Sequence, residues 1–298
     1  PFINEKYGHA DFGWGGGMEH QTLTSMGGYS QNLIAHEIGH QWWGNLITCK
    51  TFHDIWLNEG FARYCQALWW EHQNGEEAYF SFMNDHAYYG GGTIYVEYPL
   101  NNSAIFNSSL SYNKASWVLH MLRNIVGDNT FFQILKEYGS NDSLAYNAAA
   151  TSDFKHICEN VSGIELDEFF EQWIFGDYHP NYQLSWWRES EGVYKIKIDQ
   201  TQSTGYFTMP IDITLSGSQG PLTIDSTIVI NNSGSSQVYE LSGLDFIVEN
   251  VVLDPDGWIL KEVSYSTGGL NNIIAKNISI SKPYPNPFNS SIKLDYYI

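Results

Sequence analysis

The 298-residue chain carries 33 Asp+Glu against 14 Lys+Arg, a formal charge of −19, so it lacks the basic face that phosphate contacts need and nucleic acid is excluded as a partner. Its 43% hydrophobic and 16% aromatic content supports about two packed domains, and no apolar run reaches the roughly 18 residues that a membrane span requires. The acidic excess fits either solubility in an exported or saline setting or the steering of cationic substrates such as peptide N-termini.

The chain opens at Pro1-Phe2-Ile3 without a methionine and reads as a piece whose N-terminal portion is missing. A first helix is predicted from a Ser30 cap through Leu33, His36, His40 and Trp43, with Gly44 as its stop. A second is predicted from about Asn58 to His72, ending at Asn74-Gly75. A third starts near Tyr112, passes Trp117, Leu119 and Leu122, and stops at Gly127; further helices fit Asn129–Tyr138, Ser152–Asn160 and Leu166–Phe175.

From Tyr182 the period changes. Strands are predicted at Gln183–Trp187, Val193–Ile198, Tyr206–Leu215, Leu222–Ile230, Gln237–Leu241, Phe246–Leu253 and Trp258–Val263, separated by turns such as Asp254-Pro255-Asp256-Gly257. The fold class read from this is multidomain α+β: a mainly helical domain over 1–180, then an all-β sandwich over 181–264. Residues 265–281 are rich in Ser, Gly and Asn and read as a linker, and 282–298 begin a further domain.

His36-Glu37-Ile38-Gly39-His40 is an H-E-x-x-H motif inside the first helical pattern. Four-residue spacing puts two imidazoles on one helix face, where both reach a single zinc ion. Glu37 then lies beside the metal rather than on it, as a general base that takes a proton from zinc-bound water. A tetrahedral catalytic zinc needs a third protein ligand and one open position, and Glu59 at the start of the next helix supplies the ligand.

None of Cys49, Cys65 and Cys158 lies in a C-x-x-C pair, so no cysteine zinc or redox site is indicated; Cys65 reads as a core residue, and a Cys49–Cys65 bridge is left open. The other histidines, His9, His53, His72, His86, His120, His156 and His179, lack ligand spacing. The pairs Trp42-Trp43 and Trp69-Trp70 read as core, with Trp42 or Trp43 buttressing the ligand imidazoles.

The blocks Gly16-Gly17-Met18-Glu19-His20, His36 to Thr48 (H-E-I-G-H-Q-W-W-G-N-L-I-T) and Asp54 to Tyr64 (D-I-W-L-N-E-G-F-A-R-Y) closely resemble the aminopeptidase N family of zinc peptidases, the gluzincins of metallopeptidase family M-one. The resemblance runs from about residue 5 to 180 and implies a thermolysin-like catalytic domain, with D-P-D-G-W closing a small β domain. It implies that Gly16, Gly17, Met18 and Glu19 form an edge strand lining the substrate cleft. Glu19 would pair with the free α-ammonium of a peptide, and Gly15, Gly16 and Gly17 would let backbone approach the substrate. It also implies that Tyr112 donates to the oxyanion of the tetrahedral intermediate. His20 stands where the family generally has Asn, and Asn113 and Ala115 depart from its common Y-E-K-G.

The resulting expectation is a zinc aminopeptidase acting on peptides with a free N-terminus, with one zinc ion as cofactor. Two alternatives stay open: a zinc hydrolase of another substrate, such as an endopeptidase or epoxide hydrolase, and a binding protein with a vestigial site. The tail from Lys282-Pro283-Tyr284-Pro285-Asn286-Pro287-Phe288 resembles the opening of a type IX secretion sorting domain. That resemblance implies contact with secretion machinery and a secreted or cell-surface location.

Overall fold

A computed structural model describes residues 1–266 apart from residue 3, together with the short antiparallel strands β13 (Ser279–Ile280) and β14 (Tyr296–Tyr297). Apart from those strand residues, the expected linker beyond 266 and the tail from Lys282 lie outside the described residues.

The chain begins with a small sheet in the order β1-β3-β2, formed by β1 (Gly8–Asp11), β2 (Gly17–Met18) and β3 (Leu23–Met26). β1 runs parallel to β3, and β2 pairs antiparallel through Gly17↔Met26 and Met18↔Ser25. Helix α1 (Gln31–Gly39) follows, its N-terminus capped by Ser30 Oγ, which accepts from the Leu33 amide at 3.2 Å. It ends at Gly39 and not at Trp43 as expected. Beyond it the chain coils into turns, the amides of Gln41 and Trp42 bonding Ile38 and Gly39 carbonyls, before Gly44 pairs with Ile47. Trp43 is therefore carried into the core, where it stacks on Tyr138 at 5.4 Å. Trp42 turns outward and is 42% exposed, against its expected place in the core.

Strand β4 (Ile47–Cys49) leads to helix α2 (Trp56–Asn74), the central helix of the molecule. Its start is fixed by a buried network: the Thr151 amide and hydroxyl donate to Asp54 Oδ1 at 3.1 and 2.7 Å, and Trp56 Nε1 donates to Thr151 Oγ1 at 2.8 Å. Its second half clamps the start of α1: Gln66 Nε2 donates to the Asn32 carbonyl, Trp69 Nε1 to Gln31 Oε1 and Trp70 Nε1 to Asn32 Oδ1. Trp69 and Trp70 are thus half-buried brackets between two helices.

Helix α3 (Glu76–Asp85) buries Tyr79, Phe82 and Met83, a helical spacing passed over in the sequence. After the short α4 (Asn102–Ile105) comes a π-helix over Ser108–Lys114, which runs into α5 (Ala115–Val126). A regular helix starting at Tyr112 was expected; Tyr112 lies instead within the π-helical segment. Helix α6 (Asp128–Ser140), strand β5 (Asn147–Ala149) and helix α7 (Thr151–Ser162) complete the helical part, with α8 (Asp167–Phe170) passing into a second π-helix over Glu171–Phe175.

Residues 181–265 form two sheets. One has the order β10-β7-β6-β12, from β6 (Asn181–Ser190), β7 (Val193–Gln200), β10 (Ser236–Ser242) and β12 (Glu262–Tyr265). The other has the order β11-β8-β9, from β8 (Met209–Gln219), β9 (Leu222–Asn232) and β11 (Ile247–Leu253). Alternate residues of both, such as Ile196 and Ile198 from one and Ile211, Ile213 and Leu215 from the other, are buried in one apolar core that continues into the helices.

Two strand boundaries differ from expectation for the same reason. Tyr206–Thr208 are not in a strand because Gln200 takes both hydrogen bonds of Phe207, accepting from its amide at 2.8 Å and donating to its carbonyl at 2.7 Å. Trp258 and Ile259 are likewise withdrawn, because their amides donate to the Asp254 carboxylate at 2.8 and 2.9 Å. Trp258 stacks instead on His120 of α5, at 4.6 Å and 19°. All three cysteines are free thiols, so no Cys49–Cys65 bridge forms.

Candidate metal centre and cleft

His36 of α1, His40 at its C-terminal cap and Glu59 of α2 converge. His36 Nε2 and His40 Nε2 lie 3.1 Å apart, and both face Glu59 Oε2, at 3.4 and 3.3 Å. The three ligand atoms lie within 4.8 Å of one another, as metal-binding groups do. His40 Nδ1–H donates to the Trp43 carbonyl at 2.9 Å, which leaves the Nε2 lone pair aimed at the centre. The expected buttress is therefore Trp43, through its backbone and not its ring. Asn58, beside Glu59, accepts the Cys49 amide through Oδ1 at 2.9 Å and pins the first turn of α2 to β4.

Electrostatics follow from this burial. Glu59 is buried, which by itself would raise its carboxyl, yet the facing imidazoles hold it down to about 2. Burial pushes His36 down to about 4; for His40 burial acts the same way, but the bond to Glu59, the charges of Glu59 and Glu19 and the Trp43 carbonyl together lift the ring to about 9. Glu37 points to the same centre, is buried, and has its Oε2 without a hydrogen-bond partner among the described residues. Burial pushes its carboxyl up to about 7.

Two imidazoles and one carboxylate around a common point, with an unpartnered carboxylate beside them, fit a catalytic zinc site with an open position. The donor set contains no thiolate and too few oxygens for calcium.

The edge strand closes one side. Glu19, Glu37 and His40 form a second group with their ligand atoms within 4.8 Å of one another. Glu19 sits just beyond β2, its carbonyl held by Asn45 Nδ2 at 2.6 Å. Gly16 adopts φ +88° and its carbonyl accepts the Gly27 amide at 2.8 Å, while Met18 is exposed. Gly17 has a role the sequence did not reveal: a Cβ there would lie 2.7 Å from Glu37 Cγ and closer still to its carboxylate. The missing side chain makes room for Glu37.

Tyr112 closes the other side. Its ring stacks on His36 at 5.9 Å and 16°, and burial followed by the charge of Glu59 keeps its phenol protonated. Directly after the π-helix that carries it, the first residue of α5 packs closely on α2: a Cβ at Gly60 would lie 2.6 Å from the Ala115 Cβ. Next to Tyr112 lies Arg63, its Cζ 5.8 Å from the ring centroid. Arg63 falls within the quoted D-I-W-L-N-E-G-F-A-R-Y block, one helical turn beyond Glu59, and that i,i+4 spacing was the signal available for it.

Residues 19–173 match the model of the peptidase family M1 domain, more than half of the chain. The chain belongs to peptidase family M1. Aminopeptidase N of Lactococcus lactis subsp. lactis is 30% identical over 154 residues, covering 48% of this M1 chain and 18% of that protein. The membrane alanyl aminopeptidase of Manduca sexta is 28% identical over 217 residues, covering 64% and 22%. The chain thus spans about a fifth of the length of these curated relatives. Aminopeptidase A of Legionella pneumophila, solved with aspartic acid, superposes with a TM-score of 0.69 at 16% identity, covering 87% of this M1 chain and 32% of that one, which shows a shared fold. No helix among the described residues is long and apolar enough to cross a membrane.

Proposed function

We propose that this M1 chain is the catalytic part of a zinc-dependent aminopeptidase that hydrolyses the N-terminal peptide bond of peptides. The observation that carries the reading is the convergence of His36, His40 and Glu59 beside the buried Glu37, with Glu19 just beyond the adjoining strand. When bound by His36, His40 and Glu59, one zinc ion supplies Lewis-acid polarisation of the scissile carbonyl and acidifies water. Glu37, unpartnered and beside the centre, takes the proton of the attacking water and delivers it to the leaving amine. Tyr112 donates its O–H to the developing oxyanion. Glu19 pairs with the substrate α-ammonium, so that the first peptide bond is the one presented to Glu37. Gly16, Gly17 and Met18 offer the edge along which the peptide lies.

In this reading residues 1–180 form a thermolysin-like catalytic unit and 181–264 a supporting β-sandwich. Export with release or anchoring at the cell surface is proposed from the tail sequence alone.

The test is hydrolysis of an aminoacyl chromogenic substrate with and without chelator, beside Glu37→Gln and an N-acetylated peptide. Activity should vanish with chelator, return with zinc, and fall by several orders of magnitude in Glu37→Gln. Chelator-insensitive turnover would overturn the zinc assignment. Equal cleavage of acetylated and free peptides would overturn the Glu19 anchor and indicate an endopeptidase.

A further inference from the structure

Charge in the cleft is divided. The carboxylates of Glu19 and Glu37, in no ion pair among the described residues, gather beside His40, within 4.8 Å of its ligand nitrogen. Where Tyr112 stacks on His36, the guanidinium of Arg63 lies beside the tyrosine ring.

Arg63 is poorly satisfied for a guanidinium in a partly buried place. It makes one hydrogen bond, from Nη1 to Gln66 Oε1 at 3.0 Å, and its Nε is buried with no partner among the described residues. The ordinary partner for an arginine on a helix is an acid one turn back. Here that acid is Glu59, which is turned to the two imidazoles at 3.3 and 3.4 Å. Gln66 offers only a neutral oxygen, and its own amide is committed to Asn32. Arg123 shows what saturation looks like in the same fold: it is bidentate to both Glu71 and Asp128, at 2.7 to 2.9 Å. A planar cation with free, partly desolvated donors is suited to a carboxylate that arrives from outside.

The position says which part of a substrate this would be. The aminopeptidase reading puts the α-ammonium at Glu19, beside His40, and the leaving-group side is then taken as the one lined by His36, Tyr112 and Arg63. We propose that Arg63 is a specificity-determining residue that receives a substrate carboxylate on the leaving-group side of the bond. Two sources share that chemistry: the side chain of an acidic second residue, and the terminal carboxylate of a dipeptide. The proposal rests on the aminopeptidase reading and extends it to the second residue.

The zinc-loaded protein and its Arg63→Gln and Arg63→Lys variants are compared on two matched pairs. One pair is alanyl-glutamyl-alanine amide against alanyl-glutaminyl-alanine amide; the other is alanyl-alanine against its amide. Binding of each peptide is also measured by calorimetry on the Glu37→Gln protein with and without Arg63→Gln. The carboxylate member of at least one pair should be favoured about 10-fold or more, chiefly in KM and in the calorimetric Kd. Arg63→Gln should bring that ratio to about one, Arg63→Lys should restore part of it, and the pair affected identifies the source. No preference in the unmodified protein would overturn the proposal. So would an equal loss on both members of each pair, since that is the signature of an arginine that only supports Tyr112. Turnover of the neutral tripeptide amide tests the aminopeptidase reading separately, while the calorimetric ratio reads Arg63 whether or not turnover occurs.

Discussion

Replacing Gly17 by alanine should silence the enzyme without unfolding it. The new methyl would lie 2.7 Å from Glu37 Cγ, and ordinary carbon contacts begin at about 3.4 Å. The glutamate stem must therefore retreat by roughly 0.7 Å and its carboxylate by more. Strand β2 cannot give way instead, because Gly16 is held by the Gly27 amide, Met18 pairs with Ser25, and the Glu19 carbonyl is held by Asn45. A displacement of about 1 Å at a proton-transferring group costs about 10²-fold in rate, or about 2.7 kcal/mol of barrier. The clash falls on the Glu37 side chain and on no backbone atom, so folding stability should fall by no more than about 1 kcal/mol, the cost of an off-rotamer side chain. The assay is kcat on an aminoacyl substrate, read beside zinc stoichiometry and a denaturation midpoint. A kcat within threefold of the unmodified enzyme would refute the reasoning, and so would a rate loss that merely tracks lost zinc.

Tyr112→Phe keeps the ring that stacks on His36 and removes the donor, so kcat should fall about 10²–10³-fold with little change in zinc content; a loss under about tenfold would remove Tyr112 from the chemistry. His120 gives a pH prediction for stability. In the neutral ring its Nε2–H donates to the Gly257 carbonyl at 3.2 Å and its Nδ1 accepts from Tyr79 Oη at 2.6 Å. Burial, followed by the Arg123 charge and against the Gly257 bond, lowers it from 6.5 to about 3. Below pH 6.5 the unfolded chain gains a proton that the folded ring refuses, so stability falls as pH drops, by about 2 kcal/mol at pH 5. Its titratable neighbours Tyr79, Tyr64 and Arg123 are all raised and do not titrate in that window. Urea midpoints at pH 7 and 5 should differ less in His120→Gln than in the unmodified protein, and equal slopes would count against it.

The metal cluster was legible in the sequence because its geometry is local. Four residues on one helix align two imidazoles whatever surrounds them, and Glu59 needs only to open the next helix. The strand region was legible for the same reason, through its period of two. What escaped depends on groups distant in sequence. Tyr206–Thr208 have strand composition, but Gln200 takes the hydrogen bonds of Phe207. Trp43 has a helical position, yet α1 ends four residues earlier and uses the Trp43 carbonyl to fix His40. Gly17 read as room for substrate; its tightest neighbour is Glu37, 20 positions on. Arg63 read as part of a helix, and its lack of a carboxylate is visible only once Glu59 is seen to be engaged elsewhere.

The departures from the family pattern beside Tyr112 are tolerable for a reason the packing supplies. The backbone that sets the tyrosine is held independently of them: Asn107 Oδ1 accepts from the Ser109 and Leu110 amides, and Ser111 Oγ donates to the Ile105 carbonyl. Lys114 Nζ ties the end of the π-helix to the Gly92 carbonyl at 3.2 Å. Ala115 needs a neighbour without a side chain, and Gly60 is that neighbour, so the extra methyl fills space between α2 and α5. Asn113 contributes its carbonyl to Ser116 Oγ, a bond any residue could accept through its backbone. The phenol is therefore placed by the frame around the π-helix, and Asn113 and Ala115 are tolerated so long as Gly60 stays small.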